Sequence, residues 1–246
     1  MIDRILITGA RGSIGTALRK RLEGFNVLAT DKDTLDVTNP QDVGDFDLVY
    51  HLAGAKSAPD GEADPETAVR VNAVGTLNMV RLSEDRGARF VLASTCKAAD
   101  PETAYGASKL LAEKIVLAAG GVVCRFYNVR ETCGNVFETW RNIPAPGLIP
   151  VTPCRRYFIS SSQAVDLLIE AATLPSGRYT VDPGPAWDMT QVAKAEYPGR
   201  DLALIPPRRG DRLAEPLCAS NERLEPFDGV LRIISAHDPV VEAVCV

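Results

Sequence analysis

The stretch Ile5-Leu6-Ile7-Thr8-Gly9-Ala10-Arg11-Gly12-Ser13-Ile14-Gly15 constrains the fold of this chain more than any other. A short continuous apolar run stops at Thr8, glycines recur at every third position, and Thr16 to Leu22 continues with helical character. Strand, glycine loop and helix in that order make a dinucleotide site. Gly9 permits the tight turn, Gly12 lets the backbone approach a pyrophosphate, and Gly15 allows close packing. The helix N-terminus, at Ser13 and Ile14, supplies amide donors and a positive dipole end. The spacing G-x-x-G-x-x-G differs by one residue from G-x-G-x-x-G, and glycines alone are weak evidence; the flanking strand and helix make the signal specific.

A second strand, Asn26 to Thr30, ends at Asp31, about twenty residues beyond the glycines, where a carboxylate can accept bonds from the adenosine ribose. That placement favours NAD. Arg11 and Lys32 can pair with a 2′-phosphate, which keeps NADP open. Leu35-Asp36-Val37 reads as a short third strand with Asp36 facing the adenine. Asp47 to Gly54 is the next strand, and Leu52-Ala53-Gly54 at its end are small enough to let a cofactor lie against the backbone; His51 reads as a packed strand residue. Thr67 to Ser83 reads as a long helix with Val69, Ala73, Leu77 and Val80 on one stripe. Asn72, close to that stripe, is either a satisfied buried amide or a brace for the active-site strand.

Gly121 to Phe126 is a further strand, so strand and helix alternate up to this point. The expected fold class is α/β, a doubly wound parallel sheet of Rossmann-like type, with ligand over the carboxyl ends of the strands. From about Thr132 the texture changes: Pro144, Pro146, Pro150 and Pro153 interrupt the pattern and arginines gather. The reading is an NAD(P)-binding core over residues 1–131 and a mostly substrate-binding lobe over 132–246. Within the lobe, 156–182 returns to the core, carrying a helix from Gln163 to Thr173. Arg156 and Arg208 can hold a nucleotide diphosphate through forked, charge-assisted bonds, or lie as solvated surface charge.

At 246 residues with 46% hydrophobic and 24% charged residues, the chain has the composition of a globular protein. Its net charge of -5 gives no electrostatic reason to expect nucleic acid or an anionic membrane as partner. No apolar run approaches the ~20 residues of a membrane span, and Met1-Ile2-Asp3-Arg4 lacks the parts of a signal peptide, so a cytoplasmic location is expected. Six cysteines without a C-x-x-C pair and two histidines exclude the spacing of a zinc site or a disulfide scaffold, so no metal is expected. Five of the cysteines read as inert; Cys96 is the exception.

Cys96 lies in S-T-C-K-A-A-D-P-E-T-A-Y-G-A-S-K, Ser94 to Lys109. The apolar run Phe90 to Ala93 delivers Ser94 to Lys97 at a strand tip, and a helix carries Tyr105 and Lys109 on one face, one turn apart. An ammonium beside a phenol favours the phenolate. A tyrosine tuned in this way can take a proton from a sugar hydroxyl while hydride leaves the same carbon. A bare Y-x-x-x-K pair is usually two surface residues; the glycine loop upstream gives this one its meaning.

With these motifs in hand the chain resembles the extended short-chain dehydrogenase/reductases. Within them it is similar to the polysaccharide-biosynthesis group of UDP-N-acetylglucosamine 4,6-dehydratases. The likeness runs from about Ile5 to Glu215. It rests on Arg11 to Gly15, on Ala55-Lys56-Ser57-Ala58-Pro59 for A-x-K-H-V-P, and on Asn72 to Asn78 for N-x-x-G-T-x-N. Arg125 to Val129 stands for R-Y-G-N-V, Arg156-Tyr157-Phe158 before Gln163 to Leu167 for R-F-F before E-A-V-D-L, and Arg208 to Leu213 for R-P-G-E-K-L.

The resemblance implies a tightly bound NAD or NADP and a nucleotide-diphosphate sugar such as UDP-N-acetylglucosamine as partner. It leaves homo-oligomers open. By position, Thr95 holds the C4 hydroxyl, Tyr105 deprotonates it, Lys109 tunes the tyrosine and binds the nicotinamide ribose, and Lys97 is the base at C5. Lys56, Asn128, Arg156 and Arg208 fall to the substrate. The group's S-T-D-K-A has an aspartate as acid for the departing C6 hydroxide; here Cys96 stands in its place. A thiol of ordinary pKa, near ~8.5, is protonated at pH 7 and can donate, with less driving force than a carboxylic acid. The implied product is a 4-keto-6-deoxy or 5,6-ene sugar. The alternatives are a UDP-sugar 4-epimerase and a nucleotide-binding protein without turnover.

Overall fold

The computed structural model describes residues 2–237. Its first elements follow the glycine-loop reading: β1 (Arg4–Thr8), α1 (Ser13–Arg21) and β2 (Asn26–Ala29), then β3 (Leu48–His51). Ile5, Leu6 and Ile7 are buried on both faces of the sheet, as befits a parallel strand covered by helices on each side. Leu35-Asp36-Val37, expected as a strand, forms a non-repetitive turn. Asp36 accepts bonds from the Thr38 amide and hydroxyl at 2.9 and 2.8 Å. This local ring competes with ladder formation, while Leu35 and Val37 still pack into the core beneath.

Helices α2 (Ala58–Ala63) and α3 (Pro65–Val69) lead through a π-turn at Arg70–Val74 into α4 (Gly75–Glu84). A π-turn holds an extra residue and so advances the phase of the buried stripe. Val69, on the expected stripe, is exposed, whereas Ala68, Asn72, Ala73, Thr76 and Met79 face inward. Gly75 allows the close approach: a Cβ there would lie 2.7 Å from Val37 Cγ2.

Strand β4 (Arg89–Thr95) ends in a 3₁₀ turn at Cys96–Ala98, followed by α5 (Ala104–Ala118) and β5 (Val122–Phe126). The remaining elements are β6 (Asn128–Val129), α6 (Val136–Arg141), β7 (Ile149–Val151), β8 (Arg155–Arg156), β9 (Phe158–Ile159) and α7 (Ser161–Ala171). They continue with β10 (Gly177–Thr180), β11 (Trp187–Asp188), α8 (Met189–Glu196), β12 (Leu202–Leu204), β13 (Glu222–Phe227) and β14 (Val230–Ser235).

The main sheet has the order β13-β14-β10-β5-β4-β3-β1-β2. It is parallel from β2 to β10, and the β13–β14 hairpin adds antiparallel strands at the far edge. One apolar cluster carries α1 and α7 on one face; a second carries α4 and α5 on the other. The strand order reverses between β1 and β3, the switch point where ligands of such sheets bind. Helix α7 and β10 join the main sheet and its covering layer. So does Glu222–Ser235, which the sequence boundary had assigned to the lobe. The lobe proper has its own small core of Phe137, Trp140, Ile149, Val151, Phe158, Met189 and Ala193. Trp140 buries its ring and donates Nε1–H to the Pro150 carbonyl at 2.7 Å.

Candidate active site

The glycine loop leaves no room for side chains. A Cβ on Gly9, which sits at φ +67°, would lie 2.7 Å from the Ala53 nitrogen, and one on Gly15 would lie 2.4 Å from the Gly9 carbonyl. The loop is thereby clamped between the tips of β1 and β3. Helix α1 begins with Gly12 as N-cap and no side-chain cap, so its first amides face outward as anion donors. Ser13 Oγ accepts the Cys133 amide at 3.1 Å, and the Lys56 ammonium reaches the Cys133 carbonyl at 3.5 Å. Lys56 is thus brought to the segment over the glycine loop.

Beyond β2, Asp31 accepts the backbone amides of Arg11 and Lys32 at 3.0 and 2.9 Å. Its burial works against ionisation, and these two amides outweigh it, holding the carboxyl below its ordinary value. The Arg11 guanidinium pairs with Asp33 and lies 3.5 Å from Asp31. Lys32 lies exposed beside them. At the end of β3, Leu52 and Ala53 are partly buried and Gly54 is exposed. A Cβ on Gly54 would come within 3.0 Å of Asn72 Oδ1 and 3.7 Å of Lys109 Nζ.

Asn72 is a brace: its Nδ2 donates to the Ala55 carbonyl at 3.1 Å and to Ser108 Oγ at 3.0 Å, tying the tip of β3 to α5. Its buried Oδ1 has no partner. An orphaned acceptor, an uncapped helix end and a glycine cradle fit a dinucleotide lying from Asp31 across to Lys109. His51 donates nothing to this chemistry. Its Nδ1 pairs with Thr8 Oγ1 at 2.7 Å, and burial followed by the nearby Lys109 charge lowers it to about 3, so the ring is neutral.

Helix α5 starts at Thr103, whose hydroxyl accepts the Gly106 amide at 3.1 Å. Gly106 is obligatory in this packing, since a Cβ there would lie 2.4 Å from the Lys97 carbonyl. The close approach sets Tyr105 against the Thr95–Lys97 tip. Tyr105 is partly buried. Burial raises its hydroxyl above the ordinary tyrosine value, and Lys97 and the Thr95 hydroxyl offset this only in part. The expected lowering by Lys109 is therefore not what the fold shows. Lys109 donates to the Ala93 carbonyl at 2.7 Å, and burial lowers its ammonium to about 8 against a smaller opposing pull from Glu113. The cation that faces the phenol is Lys97.

Lys97 is itself committed. Its Nζ lies 2.7 Å from Glu215 Oε1 and 3.5 Å from Asn128 Oδ1. Burial alone would lower this ammonium; Cys96 and Glu215 outweigh it and hold it above the ordinary lysine value, Glu215 being the partner charged at neutral pH. The ion pair with Glu215 favours the ammonium form of Lys97 in the absence of substrate. Cys96 is 1% exposed, its Sγ 3.7 Å from Glu215 Oε2. Burial and then the Glu215 charge push the thiol up to about 11, well above the ordinary value assumed from sequence.

Glu215 is the residue the sequence reading missed. Oε1 meets Lys97 and lies 3.3 Å from Arg156 Nε; Oε2 accepts from Asn128 Nδ2 at 2.7 Å and from Cys96. Burial would raise it, but Lys97, Arg156 and the two side-chain bonds keep it ionised. The signal was a single charge within Leu213-Ala214-Glu215-Pro216-Leu217, just past the last matched motif. Arg156 and Asn128 are thus gathered around Glu215. Arg208 is not: its side chain is 69% exposed and paired with Asp211.

A doubly wound sheet, a glycine loop at its switch point and a Tyr-x-x-x-Lys helix against the tip of β4 define the extended short-chain dehydrogenase/reductase class. Within it the chain belongs to the family described as polysaccharide biosynthesis protein, whose model matches residues 25–233. It is 29% identical to the probable polysaccharide biosynthesis protein EpsC of Bacillus subtilis, over 89% of this chain and 45% of that one. It is 28% identical to a UDP-N-acetylglucosamine 4,6-dehydratase (inverting) of Campylobacter jejuni, over 78% of this chain and 61% of that one. The chain therefore spans about half to two thirds of the length of these relatives. Among solved structures, the NAD-dependent NDP-hexosamine 5,6-dehydratase TunA of tunicamycin biosynthesis superposes with a TM-score of 0.77 at 25% identity, over 89% and 88% of the two chains. Among the described residues no helix is long and apolar enough to cross a membrane, and no cluster of metal-ligating side chains is found.

Proposed function

We propose that this chain is a nucleotide-sugar dehydratase acting on a UDP-N-acetylhexosamine through transient oxidation at C4. The observation that carries the reading is the placing of Thr95, Cys96 and Lys97 at the tip of β4, with the Tyr105-bearing end of α5 packed closely against that tip through Gly106. Membership of the family and the activities named for the Campylobacter and TunA proteins support it.

A bound nicotinamide dinucleotide supplies the acceptor and later the donor of the C4 hydride. Gly9, Gly12, Ser13, Ile14 and Gly15 receive its pyrophosphate, Asp31 its adenosine ribose, and Lys109 with Asn72 the nicotinamide end. Asp36, Val37, Leu52, Ala53 and Gly54 flank it. NAD is favoured over NADP, because Arg11 is held by Asp33 and Asp31 and is not free to clasp a 2′-phosphate.

On the sugar, Thr95 orients the C4 hydroxyl and Tyr105 exchanges its proton. Removing the C4 hydride makes a ketone, which acidifies C5 and allows the C6 hydroxyl to leave. Lys97, beside Cys96 at the tip of β4, is assigned the proton at C5, and Cys96 the departing C6 hydroxide. Arg156, 3.3 Å from Glu215, is assigned to the diphosphate.

The test is incubation with UDP-N-acetylglucosamine followed by mass spectrometry of the nucleotide sugar. Loss of one water supports the reading. Unchanged mass with a new stereoisomer favours the 4-epimerase, and an untouched substrate favours binding without turnover.

A further inference from the structure

Between the 3₁₀ turn at Cys96–Ala98 and the start of α5 at Ala104 runs the short loop Ala99 to Thr103. This loop sets how the Thr95–Lys97 tip and Tyr105 stand to one another. Asp100 within it lies in the left-handed region, at φ +43°. That conformation is unfavourable for a residue with a Cβ and persists where its surroundings hold it. The groups that hold it come from 113 to 120 residues further along the chain. Arg212 donates from Nη1 to the Ala99 carbonyl at 3.0 Å and from Nη2 to the Asp100 carbonyl, and its Nε lies 3.3 Å from Glu102 Oε1. The Asp100 carboxylate accepts the Ser220 amide at 2.7 Å and the Ser220 hydroxyl at 3.2 Å. Gly210, at φ +83°, closes on the far end of the loop: a Cβ there would lie 2.8 Å from Cγ2 of Thr103, the residue that caps α5.

Resting on the dehydratase reading, we propose that Arg212 is a positioning residue: through the Ala99–Thr103 loop it sets Tyr105 against Thr95, and it does not hold the nucleotide sugar. Arg208 and Arg212 belong to one arginine-rich stretch, yet their surroundings divide them. The Arg208 side chain is 69% exposed and paired with Asp211, whereas that of Arg212 is 16% exposed, with all three guanidinium nitrogens turned to oxygens of the loop. A planar fork is suited to bridging two neighbouring carbonyls, and here it ties the loop rather than an anion. Asp100 is the receiving half of the same clamp, gripped by Ser220 from the other side. The reacting groups on either side of the loop must be placed closely, since a displacement of about 1 Å can cost on the order of 10²-fold in rate. Loss of the clamp therefore acts on kcat and leaves the binding of substrate and dinucleotide alone.

Steady-state kinetics with UDP-N-acetylglucosamine and hydrogen exchange of the whole protein test the clamp together. Arg212→Gln is expected to lower kcat by on the order of 10²-fold with KM within a few-fold of wild type. Arg212→Lys, which keeps a cation and its donors, should retain about tenfold more of kcat than the glutamine variant. Asp100→Gly gives an independent route should Arg212→Gln fail to fold: it adopts the left-handed turn at no cost but loses both Ser220 bonds, and should lower kcat in the same way. Asp100→Asn, which tolerates the turn and keeps an acceptor, should stay near wild type. Without substrate, amides of residues 98–106 should exchange faster in Arg212→Gln than in wild type, while those of β1 to β3 stay unchanged. A raised KM with kcat intact in Arg212→Gln overturns the proposal, since the arginine then holds the substrate. Equal losses in the lysine and glutamine variants, or unaltered exchange over 98–106, overturn it as well. Wild-type protein that removes no water from any nucleotide sugar overturns the dehydratase reading instead, and the exchange measurement then decides the clamp by itself.

Discussion

Tyr105 and Lys109 share a helix face, yet the fold gives them different electrostatic neighbours. Burial raises the phenol while Lys97 and Thr95 pull it back, and Lys109 sits against the Ala93 carbonyl with its ammonium lowered to about 8. Nitrogen-detected NMR of the lysine side chains should therefore show one amine titrating near pH 8, below the ordinary lysine value near ~10.4, and Lys109→Met should remove that signal. Tyr105→Phe should lower turnover by on the order of 10²–10⁴-fold while leaving dinucleotide affinity, read by fluorescence titration, within a few-fold of wild type. The i, i+4 spacing made the pair legible from sequence. Which cation would face the phenol was not, because Lys97 reaches it through the tip of β4 and no periodicity reports a contact across elements.

Helix α5 is anchored by charge as well as by apolar packing. Glu113 is fully buried, accepting Ser94 Oγ at 2.5 Å, Arg125 Nη2 at 2.6 Å and Arg178 Nε at 2.7 Å. Arg125 in turn meets Glu222 at 2.6 Å, which links α5, β5, β10 and β13. Removing one member strands its partners, so Glu113→Ala should cost about 3–5 kcal/mol, measured by denaturant unfolding. Burial raises the Glu113 carboxyl, but Arg125 and Arg178 more than offset this and its folded pKa is lowered. Its contribution is thus complete above the unfolded glutamate value, near ~4.3, and is lost as pH falls through the folded value. Acid unfolding of wild type should be steeper than that of the variant. Gly15→Ala should abolish dinucleotide binding, because its Cβ has no space beside the Gly9 carbonyl. A lone arginine within Val122-Val123-Cys124-Arg125-Phe126 signals a buried partner, though not which one.

At the scale of the whole molecule, β1 to β5 were legible because each strand is a continuous apolar run punctuated by turn residues, and the switch point follows from their order. The last third was harder to read. Short strands such as Arg155–Arg156 and Trp187–Asp188 carry no repeat long enough to show a period. The Glu222–Ser235 hairpin joins the main sheet although the chain first passes through the lobe. That detour is what carries Glu215 over the cleft, where pattern alone could not place it. Cys245 lies outside the described residues.

A sugar C4–H bond opens beside Tyr105, and the hydride it gives up returns to the sugar. UDP-N-acetylglucosamine carrying deuterium at C4 tests this most directly, by mass spectrometry of the product and of the solvent. The account predicts a product lighter by one water that keeps its deuterium, and substrate returned unchanged by the Tyr105→Phe protein. Water lost with the deuterium released to solvent, or equal dehydration by the Tyr105→Phe protein, would contradict it.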